Sequence, residues 1–436
     1  LFGRMVMQAS IIEITSLVYG GKGLGRIDGK VVFVPFTAPG DIAEVEITAD
    51  KGGFSEGVLK KLVKPSLLRV EPHCRFFGKC GGCSLQHMSY EGQLEWKHKI
   101  LDETLRRIGK LQDAPFESPI ASPIPFNYRS RARFHVDGVK AGFFEGGTHR
   151  VVDMDSCPLL DPLVNETFSD FKRSVLSVKG RPVIYSFEVG LSEVDQKTVI
   201  SILAAPSAGF DWSEFLKSIR HFKGFEVWVM KDRTRKGKFV RAEKDTRLVY
   251  EAGGVSFSAQ ISVFSQVNLG QNRFLVEKVA SFAGLSGKER VLDLYCGVGN
   301  LSLPMAKRAA SVVGVESSGQ AVEEARANAQ RNAIKNAEFH EGDAAAWLKQ
   351  DLKKLEKDGM DVLILDPPRG GEPNIAQALS NARPDKVVYV SCSPPTLARD
   401  IQKLAGLGYR VSSAVLVDMF PQTYHIESIL GLELRS

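Results

Sequence analysis

The sequence predicts a mixed α/β and β protein made of three parts. Glycine-broken, β-rich segments near the N-terminus predict a small β-barrel, and alternating apolar and polar residues in the middle predict an antiparallel α+β domain. Near the C-terminus, an aliphatic strand followed by a glycine turn and a helix predicts a Rossmann-like parallel sheet. Because 436 residues are too many for one ordinary core, we expect two or three domains, with boundaries at residues 1–68, 69–265 and 266–436.

Composition restricts the classes of function. The chain has 43% hydrophobic and 25% charged residues, as soluble globular proteins do, and its net charge of +6 has the sign expected of a nucleic-acid partner. Many proteins without such a partner share this balance. No apolar run approaches the roughly eighteen residues of a membrane span, and the N-terminal segment lacks the apolar core of a signal peptide. We expect a cytoplasmic protein without membrane contact, and a monomer.

The barrel is predicted from residues 11–64. Short β-rich runs are separated there by Gly-Lys-Gly, Asp-Gly and Pro-Gly, which are turn sequences. Residues 1–71 hold nine Lys and Arg against eight Asp and Glu, so charge alone leaves both a structural barrel and an RNA-binding one open.

Four cysteines have the pattern of a metal centre. Cys74, Cys80 and Cys83 lie in HCRFFGKCGGCSLQH, at x5 and x2 spacings with glycines between them, and Cys157 follows in DSCPLL. Such spacing favours thiolate ligands over buried core thiols. Zinc and an iron–sulfur cluster both accept four thiolates, so spacing leaves the metal open.

Two basic stretches follow in the middle of the chain. Arg129, Arg131 and Arg133 recur at every second residue, so on a strand they share one face and predict a row that grips phosphates. Residues 231–244 hold seven basic residues against two acidic ones, which we interpret as a solvated hairpin tip.

The glycine turn of the C-terminal part predicts a nucleoside-like cofactor. Asp293 ends the strand in VLDLYCGVGNLSL, Gly297 and Gly299 allow close approach of the backbone, and Glu316 at the end of the next strand can accept hydrogen bonds from ribose hydroxyls. A dinucleotide site needs a third glycine where this loop has Ser302. We therefore prefer S-adenosylmethionine to NAD.

These stretches resemble one known family. The glycine turn with Glu316, the sequence Asp-Pro-Pro-Arg beginning at Asp366, and Cys392 in a Ser-Cys-Ser-Pro turn are similar to the motifs of RNA uracil-5-methyltransferases, and the similarity covers nearly the whole chain. The resemblance implies an N-terminal TRAM barrel of oligonucleotide-binding type, a central RNA-binding domain and a class I methyltransferase domain. It also implies that Cys74, Cys80, Cys83 and Cys157 hold a [4Fe–4S] cluster. Because their x5 and x2 spacing departs from the x3 and x2 spacing of radical-SAM enzymes, we assign the cluster no radical role.

The chemistry of the family gives two residues catalytic roles. The C5 carbon of uracil is a poor nucleophile until a thiolate adds to C6, and Cys392 fits that nucleophile. A base must then remove the C5 proton, and Glu427 in HIESI matches the base of the family. His425 is the alternative base if both residues lie on one strand. A buried small thiol and a strand-end ion pair are the structural alternatives for Cys392 and Glu427.

The resemblance also implies the cofactor contacts. They are Gln266, Tyr295, Glu316, Asp343 and Asp366. Without the resemblance, Gln266 would be assigned to helix capping, and Asp343 fits a helix N-cap nearly as well as a contact to adenine. We interpret Cys296 as a packing residue.

Several functions remain to be separated. We expect methylation of a uridine in 23S ribosomal RNA, while relatives act on the T-loop of transfer RNA. An RNA-binding Fe–S or zinc protein with an inactive methyltransferase domain, a cytosine-5-methyltransferase and an NAD oxidoreductase are the rival readings.

Overall fold

The computed structural model describes residues 9–206, 210–230, 238–344, 346–347, 359–379 and 383–435. The chain forms two compact units. The first unit comprises Leu1–Glu103, Phe144–His149 and Phe420–His425. The second unit comprises Thr104–Phe143, Arg150–Met419 and Ile426–Ser436. Within the described residues, no helix is both long and apolar enough to span a bilayer.

The first unit contains a six-stranded sheet in the order β1-β5-β6-β4-β3-β2. Its strands are β1 (Ala9–Glu13), β2 (Ser16–Val18), β3 (Lys22–Ile27), β4 (Lys30–Pro35), β5 (Ile42–Asp50) and β6 (Phe54–Lys64). Alternate residues such as Ile12, Val34 and Val45 are buried together inside it, as the period of two along a strand requires. The sheet curves so that β1 also approaches β3, since a Cβ added at Gly25 would lie 2.7 Å from the Glu13 carbonyl oxygen. The predicted small barrel is confirmed.

The first half of the second unit is built on another six-stranded sheet, in the order β12-β11-β10-β9-β7-β8. Its strands are β7 (Arg131–Asp137), β8 (Lys140–Gly142), β9 (Ile184–Ser192), β10 (Lys197–Ala204), β11 (Phe222–Val229) and β12 (Lys238–Lys244). Helix α2 (Pro162–Phe171), which continues as a π-helix, packs on this sheet with stacked phenylalanines. Helix α1 (Tyr90–Arg107) comes before the sheet in sequence, and most of its residues belong to the first unit. The pairing is antiparallel except between β10 and β11. Those two are parallel because α3 (Trp212–Leu216) carries the chain across between them.

The predicted hairpin tip at residues 231–244 falls largely outside the described residues. Residues 231–237 are not described, and residues 238–244 form strand β12. A separate hairpin of β13 (Arg247–Ala252) and β14 (Val255–Gln260) follows and leads into the C-terminal part.

The C-terminal part is the predicted Rossmann-like sheet, with seven strands in the order β17-β16-β15-β18-β19-β21-β20. The strands are β15 (Arg290–Leu294), β16 (Ser311–Glu316), β17 (Ala337–Glu341), β18 (Val362–Leu365), β19 (Lys386–Ser391), β20 (Tyr409–Val417) and β21 (Glu427–Leu434). The first five are mutually parallel, and β21 enters antiparallel between β19 and β20. All four residues of β18 are buried, as expected of a strand covered on both faces.

Helices flank this sheet. They are α4 (Leu269–Ala283), α5 (Ser302–Ala306), α6 (Gly319–Arg331), α7 (Ile375–Ala378) and α8 (Pro394–Gly406). Helix α4 begins at an N-cap, Asn268, whose side chain accepts from the Gln271 N–H, and ends at Gly284 in the left-handed conformation. Pro394 opens α8 at its first position, where the missing N–H costs nothing. Because strands β15 to β19 are mutually parallel, the loops at their carboxyl ends lie at one edge of the sheet.

Candidate active site

The loop after β15 is shaped for a ligand. Tyr295, Gly297 and Gly299 all have positive φ, at 67°, 55° and 88°. The N–H groups of Tyr295 and Cys296 both donate to the carbonyl of Val315 on the neighbouring strand, at 2.9 and 3.1 Å. A tyrosine in this conformation is uncommon and is held in place by such contacts. The loop is therefore a fixed turn rather than a flexible one.

Glu316 stands beside this loop at the end of β16. Its Oε2 accepts from the Gly297 N–H at 3.2 Å and its Oε1 from the Ser318 N–H at 2.9 Å. Oε1 also accepts from the Ser317 hydroxyl at 3.0 Å, so Oε2 is the oxygen that keeps a lone pair for another donor. The carboxylate is thus oriented at the position where the sequence predicts a contact to ribose hydroxyls.

Asp293 lies on β15, two residues before Tyr295, and the sequence predicted no function for it. Its carboxyl is fully buried, its Oδ2 accepts from the Ser302 hydroxyl, and its Oδ1 has no partner within the described part of the chain. Burial raises the pKa of Asp293 to about 7. Ser302, which replaces the third glycine of a dinucleotide site, is thus used to hold this carboxyl. An acidic residue inside an aliphatic strand was the signal in the sequence.

Two other predicted cofactor residues lie in loops at the same sheet. The Asp343 side chain accepts from the Ala346 N–H at 2.9 Å, which is the capping role considered as the alternative. Gln266 lies half-buried between β14 and α4, and its side chain makes no hydrogen bond to the described residues. Asn268, and not Gln266, caps α4. The amide of Gln266 is therefore available to a ligand.

Asp366, Cys392 and Glu427 meet at the carboxyl edge of the sheet. Asp366 follows β18 and Cys392 follows β19, its parallel neighbour. Ser391 pairs with Ser428 in the antiparallel ladder between β19 and β21, so the next position along places Cys392 opposite Glu427. The sequence brings these residues from three separate segments, and the register of the sheet joins them.

The electrostatics of the three groups are coupled. Burial raises the pKa of the Cys392 thiol to about 11, with further increases from the carboxylates of Glu427 and Asp366 and an opposing effect of Arg369. Burial raises the pKa of Asp366 to about 7. Glu427 is only 6% exposed, and burial, followed by the charge of Asp366, raises its pKa well above the ordinary range. A buried carboxylate of this kind is a stronger base than one on the surface.

His425 and Cys296 have other environments. Strand β21 begins at Glu427, so the expectation that His425 shares a strand with Glu427 is wrong. The His425 ring instead packs on Tyr424, with centroids 4.4 Å apart. Cys296 is buried against Gly314, where an added Cβ would lie 2.9 Å from its sulfur. Its packing is the reason that β16 carries a glycine there.

The cysteine loop of the first unit has a local hydrogen-bond frame. The Gln86 side chain accepts from the Cys74 N–H at 3.0 Å and donates to Cys83 Sγ at 3.2 Å, and the Gly82 N–H donates to Cys80 Sγ at 3.4 Å. Donors to sulfur suit thiolates. The sequence did not single out Gln86. Within the described residues, no group of three or more His, Cys, Asp or Glu side chains is arranged to hold a metal ion.

Cys157 lies in the second unit. Its N–H donates to the Asn165 side chain and its carbonyl accepts from the same amide, both at 2.9 Å. All six cysteines lie in the described part of the chain, and none of them forms a disulfide. The donor set of four thiols is therefore present, in two ordered loops.

The predicted row of phosphate-gripping arginines is wrong for Arg131. Its side chain is 11% exposed, pairs with Glu188 and donates to the carbonyls of Ile261 and Val263. The face of β7 that carries it is covered by the loop after β14, and the alternation of residues could not show this cover. Arg133 remains 64% exposed and pairs with Glu188 at 2.9 Å.

Comparison with known proteins identifies the family. Residues 89–435 match the family model for tRNA (uracil-5-)-methyltransferases, and residues 4–60 match the TRAM domain. An uncharacterized RNA methyltransferase of Caldanaerobacter subterraneus is 36% identical, with 97% of both chains covered. A 23S rRNA (uracil(1939)-C(5))-methyltransferase of Methylococcus capsulatus is 35% identical, over 97% of this chain and 96% of that protein.

A solved structure agrees over the same length. The tRNA (uracil-54, C5)-methyltransferase of Pyrococcus abyssi, in complex with S-adenosyl-L-homocysteine, has a TM-score of 0.78 and 28% identity, covering 97% of this chain and 99% of that one. The predicted fold class, TRAM domain and resemblance are confirmed. The chain belongs to the tRNA (uracil-5-)-methyltransferase family and is an S-adenosylmethionine-dependent RNA (uracil-C5)-methyltransferase.

Proposed function

We propose that the protein methylates C5 of one uridine in 23S ribosomal RNA through a covalent adduct between Cys392 and the uracil ring. The observation that carries the mechanism is the position of Cys392 opposite Glu427, with Asp366 on the neighbouring strand. The choice of RNA is supported by curated relatives, 33–35% identical over nearly their full length, that are named as 23S rRNA uracil-1939 methyltransferases. Transfer RNA is the second candidate, because the similar solved structure acts on uracil-54 of tRNA.

Five residues are assigned to binding and orienting the cofactor. We assign cofactor contacts to Gln266, Tyr295, Glu316, Asp343 and Asp366, and the oriented carboxylate of Glu316 and the unpartnered amide of Gln266 support this assignment. When bound, S-adenosylmethionine supplies an electrophilic methyl group. Asp366 follows β18, the neighbour of the strand that precedes Cys392, and we assign it the orientation of the cofactor or the uracil.

Cys392 and Glu427 carry the chemistry on the uracil. The Cys392 thiol gives its proton to solvent, and the thiolate adds to C6, which moves the C5=C6 electron pair toward C5 and O4. C5 then forms its bond to the methyl group, and the electron pair of the broken carbon–sulfur bond stays with the leaving sulfur. Glu427 accepts the C5 proton, the C5=C6 bond forms again, and the Cys392 sulfur leaves C6. The raised pKa of Glu427 makes it a suitable proton acceptor.

Two variants test these roles. Labelled methyl transfer is measured to a 23S rRNA fragment and to a tRNA transcript, with the nucleoside identified by mass. We expect 5-methyluridine in the rRNA fragment from the wild type and no transfer by C392A. E427Q should still form the adduct but release it about 100-fold or more slowly, as a lost general base requires, so a protein–RNA band should accumulate on a denaturing gel.

The matched control is H425Q, which should turn over like the wild type. Wild-type turnover by E427Q, or an adduct formed by C392A, would overturn the assignment. Label in the tRNA alone would move the substrate to the second candidate and leave the mechanism standing.

We also propose that Cys74, Cys80, Cys83 and Cys157 bind a [4Fe–4S] cluster. The four thiols and the hydrogen bonds from Gln86 and Gly82 to two of their sulfurs support a thiolate site. The cluster would hold a loop that touches RNA. Protein purified without oxygen should contain about four irons and matching sulfide per chain. Stoichiometric zinc instead of iron would decide for a zinc site.

The remaining proposals concern organisation. We propose domain boundaries at 1–68, 69–265 and 266–436, a cytoplasmic location suited to an RNA substrate, and a monomer. Limited proteolysis should cleave first near residues 68 and 265, and sedimentation should give the mass of one chain, 47.9 kDa.

A further inference from the structure

Glu372 lies in the loop that begins with Asp366 and has no role in the reaction described above. It is 3% exposed. Its Oε2 accepts from the Tyr295 hydroxyl at 2.5 Å, and its Oε1 accepts from the Asn374 N–H at 3.0 Å. Both oxygens of a buried carboxylate thus have a partner. One of them is Tyr295 of the loop after β15 (residues 295–301), here called the cofactor loop. A buried ionised group without such partners would cost several kcal/mol.

The backbone of Glu372 is held from the other side. Its N–H donates to Asp400 Oδ2 at 2.7 Å and lies 3.3 Å from the Tyr389 hydroxyl. Tyr389 donates to the same oxygen of Asp400 at 2.8 Å, and Arg399 donates to Oδ1 of Asp400 at 2.8 Å. Tyr389 lies on β19, three residues before Cys392. Asp400 lies on α8, which begins two residues after Cys392.

One connected network therefore joins three parts of the site. It runs from the cofactor loop through Glu372 to the strand and helix on either side of Cys392. Burial and the nearby Glu372 carboxylate raise the pKa of Tyr295, so its hydroxyl keeps the proton that it donates. Because the members are buried, removing one leaves another unpaired, and such networks behave as units.

We propose that Glu372 is a positioning residue that fixes the Tyr295 ring to the loop carrying Asp366. Binding of the cofactor against Tyr295 then sets the loop in place beside Cys392. The inference rests on the proposed function, because Tyr295 enters it as a cofactor contact.

The test is a double-mutant cycle on cofactor binding without RNA. The equilibrium affinities of S-adenosylmethionine and S-adenosylhomocysteine are measured for the wild type, Y295F, E372Q and the double variant. Y295F removes the hydroxyl that donates to Glu372, and E372Q replaces the charged acceptor by a neutral amide, so each single variant should weaken binding about tenfold. Both changes act on the same hydrogen bond, so the double variant should bind no worse than the single variant with the lower affinity. E338Q makes the same change at an exposed glutamate and should bind normally.

Thermal unfolding without cofactor separates this role from a structural one. Additive losses in the cycle, or an E372Q variant that unfolds earlier but binds with wild-type affinity, would overturn the inference. The result is independent of Cys392: if the cycle is additive while C392A still abolishes transfer, only the inference fails. A wild-type protein that binds neither ligand would remove the proposed cofactor site and the inference with it.

Discussion

Cys392, the proposed nucleophile, lies in surroundings that oppose its ionisation. Burial and two neighbouring carboxylates raise the pKa of its thiol to about 11, and Arg369 acts in the opposite direction. Its thiolate fraction at neutral pH is small, so the reaction needs a nearby proton acceptor at the moment of attack. Glu427 must stay unprotonated for the later removal of the C5 proton, so the thiol proton goes to solvent.

The pH dependence of alkylation should show these charges. Iodoacetamide reacts with the thiolate, so modification of Cys392 in RNA-free protein should rise about tenfold per pH unit from pH 7 toward the pKa near 11. The Asp366 carboxyl ionises near pH 7, so D366N should react faster than the wild type above pH 7 and equally fast below it. R369Q should react more slowly. Peptide mass spectrometry assigns the modified cysteine, and equal rates for D366N and the wild type at pH 9 would contradict the coupling.

Single residues were predictable from sequence only where a motif names them. Cys392 and Glu427 were predicted because methylation at C5 of uracil requires a thiol and a base, and the register of the sheet places them opposite each other. Glu372 was missed because a lone glutamate after Gly-Gly is typical of a solvated loop, and its burial depends on Tyr389 and Asp400 from distant segments. Arg131 was misassigned for the opposite reason, since the loop that covers its strand cannot be read from local alternation.

At the scale of elements, the local sequence pattern predicts the strands of the C-terminal sheet. It does not predict the order in which they pair. Runs such as VLIL in β18 and KVVYVS in β19 are aliphatic enough to predict buried strands. The insertion of β21 between β19 and β20, which places Glu427 opposite Cys392, is a long-range choice. The parallel pairing of β10 and β11 is another, because α3 is only five residues long and gives a weak helical pattern.

Gly314 of β16 packs closely against β17 and the loop after β15, and a substitution at this position tests that packing. A Cβ at Gly314 would lie 2.6 Å from the Phe339 ring and 2.9 Å from Cys296 Sγ, so G314A must displace either β17 or the loop. We expect G314A to lower the free energy of unfolding by about 1–3 kcal/mol and to weaken cofactor binding. Urea denaturation and a binding titration measure the two effects.

G406A is the matched control, because nothing lies within 4 Å of the added methyl group near the end of α8. It should leave binding unchanged and raise helix stability by up to about 1 kcal/mol. Wild-type stability of G314A would show that the loop is not packed as described.

At the scale of the whole molecule, the first unit is discontinuous in sequence. Buried Gln93 donates to the Gln422 side chain at 3.0 Å and accepts from the Gln422 N–H at 2.9 Å. The Ser84 and Leu85 N–H groups donate to the Gln422 carbonyl at 3.1 and 3.0 Å. The Gln93 amide nitrogen also donates to the Leu85 and Met88 carbonyls, at 3.2 and 2.9 Å, so these buried contacts form one network around residues 84–88. Sequence reasoning could not predict them, because glutamines carry no pattern that pairs them.

Removing the Gln422 side chain should therefore destabilise the first unit. We expect Q422A to cost about 0.5–1.5 kcal/mol in the free energy of unfolding, since one buried hydrogen bond is lost, and to speed hydrogen exchange in residues 84–88. Hydrogen-exchange mass spectrometry locates the effect. Q330A changes an exposed glutamine on α6 and should exchange like the wild type. Faster exchange spread evenly over both units would contradict a local role.

The long separation between Gln93 and Gln422 also has a consequence for biosynthesis. The partners are 329 residues apart in the chain. At about 5–20 residues per second, a ribosome needs roughly 15 to 65 s to add the second after the first. During that time Gln93 and the backbone beside Cys83 lack their native partner, although the barrel strands before them are already made. The N-terminal unit thus begins to fold first and is completed after every strand of the molecule except β21 has been translated.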